Sequence, residues 1–351
     1  MNKHGGYNGN GDHLIDYSIN VNPFKLPNEI INSMHEGIKN IHLYPEVGGR
    51  KAIEKLSLNI NVNVENLIIG NGATELIYLF ARSFKFKQVL IAEPTFSEYR
   101  RAFELAGSKV ERIVLIDDDY CFDEKKIELA ITRKDLDCIV ICSPNNPTGK
   151  IINYEKLIYF LKLAQENKTW LFIDESFLDF TEEKSLLNVE NTDYLFVLKS
   201  MTKIFGLPGI RMGYAFASEL CIKKMFHYKE PWTLNAVALN LFSNLDKLND
   251  FGKTTRKYIQ QEKLKVQNQL INWDFFDVIE SKTNFILCKM RSVEFNALQL
   301  QEELLKKGYY IRTCEEFMGL DNQYIRFAIR SSDENIQLLN AIKSIMEVHN
   351  G

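Results

Sequence analysis

The sequence predicts an α/β protein, a large domain with a mostly parallel sheet followed by a smaller α+β domain. Three observations carry that reading. Short apolar runs, "NLIIG", "QVLIAEP", "DCIVICSP", "TWLFIDES" and "YLFVLKS", alternate with helix-patterned stretches, the rhythm of strands joined by crossover helices. From about Asn235 to Trp273 the pattern turns helical and polar, with only Gly252 interrupting it, as expected of a long connecting helix. Beyond it, "NFILCKM", a helical "ALQLQEELLKKG", "YYIRTC" and "YIRFAIR" read as a second, smaller unit.

Composition bounds the function classes. With 351 residues, 45% hydrophobic and 25% charged, the chain has the profile of a soluble globular protein long enough for two domains. A net charge of -3 with dispersed basic residues points away from a nucleic-acid groove or a polybasic anchor and toward small metabolites. No apolar run reaches the roughly 20 residues of a membrane span. The start, "MNKHGGYNGNGDH", lacks the apolar core of a secretory signal, so a cytoplasmic protein is expected. The six cysteines lie far apart without a C-x-x-C; most read as buried thiols, with neither a disulfide framework nor a metal site.

In chain order, residues 1–27 carry Gly5, Gly6, Gly9, Gly11, Pro23 and Pro27 and read as an arm without a packed core of its own. Residues 28–235 form the large domain, and residues 236–351 the connecting helix and small domain. In "IIGNGATEL" a strand runs through Gly72 into a helix, whose Ala73 and Thr74 amides would converge on an anion. Helix capping alone would also explain that turn. In "SPNNPTGK", Asn146 before Pro147 sets a turn and leaves an amide able to donate and accept. Asp174 in "FIDESF" follows three apolar residues, so unless it caps a helix it needs a cationic or donor partner. The stretch "KSMTKIFGLPGIRMGY" crowds Lys199, Lys203 and Arg211 among Gly206, Gly209 and Gly213, more glycine than a basic surface loop requires.

Together these pieces suit one chemistry. A pyridoxal phosphate enzyme needs a lysine for a Schiff base, a carboxylate for the pyridinium nitrogen, donors for the phenolic oxygen, a phosphate cradle and an aromatic cover. Each has a candidate here. In the order glycine turn, N-P-x-G, D-E-x-[YF], S-x-[ST]-K and R-x-G, the chain resembles the fold-type I pyridoxal phosphate family over roughly residues 20–330. The resemblance implies a fold-type I transferase with a seven-stranded sheet. It makes Lys203 the Schiff-base lysine, Asp174 the pyridinium partner, Asn146 a donor to the phenolic oxygen and Phe96 of "EPTFSEY" the stacking ring. The phosphate falls to Gly72, Ala73, Thr74, Ser200, Thr202 and Arg211. Tyr44 of "LYPE" would reach the phosphate of a neighbouring subunit, which implies a homodimer with composite sites. Gly206, Gly209 and Gly213 would then let the backbone pass close to the phosphate.

The cofactor motifs leave the reaction open among transamination, decarboxylation and elimination. The "HGG" start followed by "DYSINVNP", and the C-terminal "IRTCEEFMGLDNQYIRFAIRSSDEN", resemble the L-threonine O-3-phosphate decarboxylases of the cobalamin aminopropanol branch. Histidinol-phosphate aminotransferases share the core, and an L-serine O-phosphate decarboxylase would carry the same chemistry. Phe177 stands where many aminotransferases place a tyrosine, which slightly favours decarboxylation. A phosphoamino acid substrate needs paired cations, and Arg312 and Arg326, at the ends of two expected strands, suit its carboxylate and phosphate. Arg326 matches the family's carboxylate arginine. His4, Gly5 and Asn22 are further candidate contacts, as is Arg330, and Ser331 caps a helix begun by "SSDEN".

Overall fold

The computed structural model describes residues 5–7, 9 and 14–349. Its first strand, β1 (Ile15–Asp16), lies in the segment read as an arm and pairs in parallel with Tyr309–Tyr310 of the small domain. Here the structure corrects the sequence. Tyr17 is fully buried in the small-domain core, its phenol donating to the Glu334 carbonyl at 2.6 Å, and Ala328 N donates to its carbonyl at 2.8 Å. One buried aromatic suffices to anchor this glycine-rich stretch.

The central sheet contains β2 (Leu67–Asn71), β3 (Gln88–Glu93), β4 (Lys109–Val114), β5 (Cys138–Cys142), β6 (Trp170–Asp174), β7 (Leu195–Ser200) and β8 (Met212–Ala217). Their order is β2-β8-β7-β6-β5-β3-β4, and only β8 runs antiparallel to its neighbours. Helices cover both faces, so strands β5 to β7 are apolar without alternation. Successive residues nonetheless enter different cores: Ile139, Ile141 and Ile173 pack on one side, and Val140, Phe172 and Phe196 on the other. Two strands had no clear trace in the sequence pattern. In β4, "KVERIV" lies at the sheet edge with no residue fully buried, and in β8, Gly213 interrupts the apolar run.

The connecting segment is two helices, Ala236–Phe242 and the 26-residue Asp246–Ile271, parted at residues 243–245. Gly252, the one break in the helical residue pattern, is buried inside the second, facing Phe205. The small domain adds β9 (Phe276–Ile279), β10 (Phe285–Met290), β11 (Tyr309–Tyr310), β12 (Arg312–Thr313) and β13 (Tyr324–Ala328). Four of these form an antiparallel sheet in the order β12-β13-β10-β9. Helices Ala297–Lys306 and Ser332–His349 complete its core. Among the described residues, no helix is long and apolar enough to cross a membrane. In the large sheet, Glu93, Cys142, Asp174 and Ser200 all end parallel strands at one edge, where open α/β sheets bind ligands.

Candidate active site

Lys203 stands on the four-residue helix Met201–Ile204 that follows β7. Its carbonyl accepts from Asn22 N at 2.9 Å and Gly206 N at 3.2 Å. Asn22 clamps this helix from below. Its Nδ2 donates to the Ile204 carbonyl at 2.8 Å and to Thr255 Oγ1 at 2.6 Å, while its Oδ1 accepts from Phe24 N at 2.9 Å. With both polar ends committed, Asn22 is not among the residues that line the cavity beside Lys203. Asn20 lines it instead, 4% exposed, with its Oδ1 unpartnered among the described residues.

Asp174 ends β6 facing the same cavity. Its Oδ1 accepts from Ser176 N at 2.7 Å and its Oδ2 from the Tyr99 phenol at 2.5 Å. Burial pushes its carboxyl pKa up, and the bonds from Ser176 and Tyr99 pull against that rise. Tyr99 was missed in the sequence although "EPTFSEY" contains it; burial and then Asp174 push its phenol well above the usual range, so it stays a donor. Lys203 moves the other way. Burial first, then Arg326 and Arg211, lower its pKa to about 8, with Asp174 opposing. A neutral amine, the form that attacks a carbonyl, is thereby within reach near neutral pH.

The turn expected to cradle a phosphate lies where helix Gly72–Phe84 leaves β2 beside β8. Gly72 N donates to the Arg211 carbonyl at 3.0 Å, and Arg211 has a left-handed φ of 64°. A Cβ on Gly72 would lie 2.4 Å from Arg211 Nη2, and one on Gly213 would lie 2.4 Å from Ala73 N. Both positions must therefore be glycine for the guanidinium to sit on the first turn beside Ala73 and Thr74, which line the cavity. Ser200 and Thr202 line it too, their hydroxyls 2.9 Å apart. Gly206 is left-handed at φ 64° against Asn22. Gly209, by contrast, faces open space, so the close approach expected of it is not required.

The small domain closes the site with Arg326, which lies mid-strand in β13 rather than at its end, in register with Arg312 of β12. Arg312 pairs with Glu316. Arg326 donates through Nη1 to Asn146 Oδ1 and through Nη2 to the Ser18 carbonyl at 2.9 Å, while its Nε has no partner among the described residues. Burial first, and Arg312 with it, lower its pKa to about 10. A buried guanidinium without a carboxylate is poised for an anionic ligand. Asn146 keeps its Nδ2 as the donor end. Phe177 lines the cavity with its ring edge against Phe285 at 5.2 Å, and the Lys203 ammonium lies 6.0 Å from its centroid.

The cavity has a volume of about 660 Å³ and also includes Gly5, Ser18 and Phe96. His4 lies outside the described residues. Arg330 pairs with Glu334 at 2.9 Å and does not line the cavity; Ser331 caps the last helix through Glu334. Tyr44 is 83% exposed, its ring tilted against Trp232 with centroids 5.0 Å apart, and it does not line the cavity of its own chain.

These residues fit pyridoxal 5'-phosphate. A carboxylate, a lysine of lowered pKa and a cradle that only glycines leave open converge on one cavity, and Phe96 stands on its wall. Comparisons with known proteins agree. The chain is 36% identical over 96% of its length to a Caldanaerobacter subterraneus protein provisionally named threonine-phosphate decarboxylase, covering 94% of it. It is 32% identical over 82% of its length to the L-serine phosphate decarboxylase of Campylobacter jejuni, covering 76% of that chain. The crystal structure of the histidinol-phosphate aminotransferase of Clostridium acetobutylicum superposes with a TM-score of 0.88, at 34% identity, over 95% of this chain and 99% of that one. The family model described as aminotransferase class I and II matches residues 12–342. A match of that extent, over a site of this composition, makes the chain a member of the pyridoxal-phosphate-dependent aminotransferase class I and II family.

Proposed function

We propose that the protein decarboxylates L-threonine O-3-phosphate to (R)-1-aminopropan-2-ol O-phosphate and carbon dioxide, a step of cobalamin biosynthesis. The carrying observation is Arg326, a buried cation without a carboxylate, beside Lys203 in a cavity lined by further guanidinium groups. Such a site suits a small substrate with two anionic ends. The relative at 36% identity carries that activity in its name.

When bound, the cofactor supplies an electron sink for the pair left on the substrate's α-carbon. The protein's own groups do the rest. Lys203 would hold the cofactor through its amine and would carry the proton that replaces carbon dioxide on the α-carbon. Asp174, held by Tyr99 and Ser176, sets a negative charge for the ring nitrogen. The Asn146 Nδ2 would donate to the cofactor's phenolic oxygen, and Phe96 would cover its ring. Arg326 orients the carboxylate that leaves. Phe177 offers no hydroxyl, which removes one donor used by many aminotransferases and favours the decarboxylase. Gly5 and residues 18–20 line the cavity wall.

The working unit is a homodimer. Ile38, Ile41, Leu43, Tyr44, Val47 and Trp232 are all more than 45% exposed on neighbouring stretches, an apolar surface of the kind that associates. In that assembly Tyr44 reaches the partner's phosphate cradle.

The test incubates pure enzyme with the phosphoamino acid alone and, separately, with histidinol phosphate plus 2-oxoglutarate. Carbon dioxide without any keto acid is the expected result. Glutamate without carbon dioxide would reverse the assignment in favour of the aminotransferase. Preference for O-phospho-L-serine would keep the chemistry and change the substrate.

A further inference from the structure

Lys199 shares the glycine-rich stretch with Lys203 but does not line the cavity. It lies in β7, 3% exposed, and follows the two-residue period of Leu195 and Val197, whereas Ser200 follows that of Phe196 and Leu198. Glu175 and Asp174 divide in the same way at the end of β6, with Ile173 on one face and Phe172 on the other. Ser200 and Asp174 line the cavity together with Ile77, Tyr99 and Cys142 of the second core. Lys199 and Glu175 thus meet on the opposite face of the sheet. There the Lys199 ammonium lies 2.9 Å from Asp179 Oδ1 and 3.6 Å from Glu175 Oε2. Glu175 is fully buried, its Oε1 accepting from Leu186 N at 3.0 Å and its Oε2 from the Ser185 hydroxyl. Asp179 sits in the turn after Phe177, and its carbonyl accepts from Arg256 Nε of the long helix at 3.0 Å. Burial works against the Lys199 charge, but Asp179 and then Glu175 outweigh it and hold the ammonium above its ordinary range.

We propose that Lys199 is a positioning residue for the cofactor site: it ties the end of β6 and the turn behind Phe177 to β7, and so fixes Asp174, Phe177 and Lys203 in one relative setting. The backbone ladder between β6 and β7 reaches Asp174 opposite Leu198 and closes with Glu175 N donating to the Leu198 carbonyl at 2.8 Å. Past that bond, the ion cluster continues the tie through side chains. Each of its members adjoins a different part of the cavity wall. Glu175 follows Asp174, Asp179 lies two residues after Phe177, and Lys199 stands four residues before Lys203. A buried ion cluster is a weak source of stability, because apolar side chains of similar volume avoid the desolvation of its charges. What charges supply in exchange is a directed contact, which apolar packing does not impose. The inference rests on the cofactor and is independent of which substrate the site takes.

The experiment uses the full chain with pyridoxal 5'-phosphate and no substrate. K199M should weaken cofactor binding about 10-fold or more and cut the visible circular dichroism per bound cofactor to about half or less, because the ring is held in a different setting. Leu300→Ala, a truncation in the small-domain core, controls for general destabilisation: it should melt lower while its dichroism per bound cofactor stays at the wild-type value. Wild-type dichroism in K199M, whatever its affinity, would overturn the proposal, since stability would then be all that Lys199 contributes. An equal loss of dichroism in Leu300→Ala would overturn it as well. Should K199M fail to fold, the charge-balanced K199M/E175Q variant replaces it. That variant should melt within about 5 °C of wild type and still lose about half or more of the dichroism; wild-type dichroism there would overturn the proposal in the same way.

Discussion

The phenol of Tyr99 and the carboxylate of Asp174 meet at 2.5 Å across 75 residues of sequence, both buried. Tyr99 comes from the helix that follows Phe96, and Asp174 from the end of β6. The contact gives the carboxylate a donor that cannot itself ionise near neutral pH, because burial and Asp174 hold the phenol well above its usual range.

Replacing Tyr99 by Phe should therefore raise the Asp174 carboxyl pKa further and leave Ser176 N as its remaining hydrogen bond. We expect a stability loss of about 1–2 kcal/mol and a fall in kcat of about 5- to 30-fold. Thermal unfolding and turnover measure the two separately. Wild-type turnover in Tyr99→Phe would show that the Asp174 charge does not depend on this bond.

Lys203 has its pKa lowered in the folded state to about 8, from an ordinary value of 10.5. Between those pH values the unfolded chain binds the proton that the folded cavity refuses, so stability of the cofactor-free protein rises with pH across that window. Below about pH 8 the full penalty stands. Lys203→Met removes it, and the cofactor-free variant should be more stable than wild type by up to about 3 kcal/mol at pH 7. The advantage should vanish by about pH 10.5. Denaturant unfolding at several pH values checks this, and a pH-independent difference would contradict it. The same variant should retain no cofactor after borohydride reduction and denaturation, since no amine remains to hold it.

Gly213→Ala forces a methyl group to 2.4 Å from the Ala73 amide nitrogen, a backbone atom that cannot swing away. It should cost about 1–3 kcal/mol and loosen the cradle, lowering cofactor affinity at least about 10-fold. Gly209→Ala, facing open space, should stay within about 0.5 kcal/mol of wild type. Cofactor titration of the two purified variants distinguishes them; equal affinity would show that Gly213 does not shape the cradle.

Asn20 and Asn22 should separate by phenotype. Asn22→Ala breaks the bonds to Ile204, Thr255 and Phe24 and should cost about 2–4 kcal/mol. Asn20→Ala removes a buried oxygen without a partner, so the unliganded protein should be as stable as wild type or more so, while substrate KM rises about 10-fold. Thermal melts and saturation curves on the pair check both. The reverse pattern would place Asn22 in the site.

Trp232→Asp sets a charge at the rim of the exposed apolar surface that also holds Ile41, Leu43 and Tyr44. If that surface joins two copies, the variant should sediment as a monomer and lose most activity, because Tyr44 no longer reaches a partner site. A monomeric wild type, or an unaffected dimer in Trp232→Asp, would remove this surface from consideration.

The sequence by itself determined the α/β class and five strands of the large sheet, and it placed the residues of the expected cofactor site in one chain order. The reason is local. Continuous apolar runs mark doubly covered strands, and the residues that end them, Asp174 and Ser200, fall at the sheet's ligand edge wherever the chain goes next. Strands β4 and β8 escaped because edge charges and a glycine hide their period. Tertiary structure alone decided what faces the cavity. Asn20 and Asn22 stand two residues apart in an extended segment, and only contacts with Ile204 and Thr255, far along the chain, commit one and release the other. The same holds for Tyr99 on Asp174. It holds too for the arm, which Tyr17 seats in a core that residues 276–346 build. Such choices depend on which distant groups desolvate one another, and sequence spacing carries no record of that.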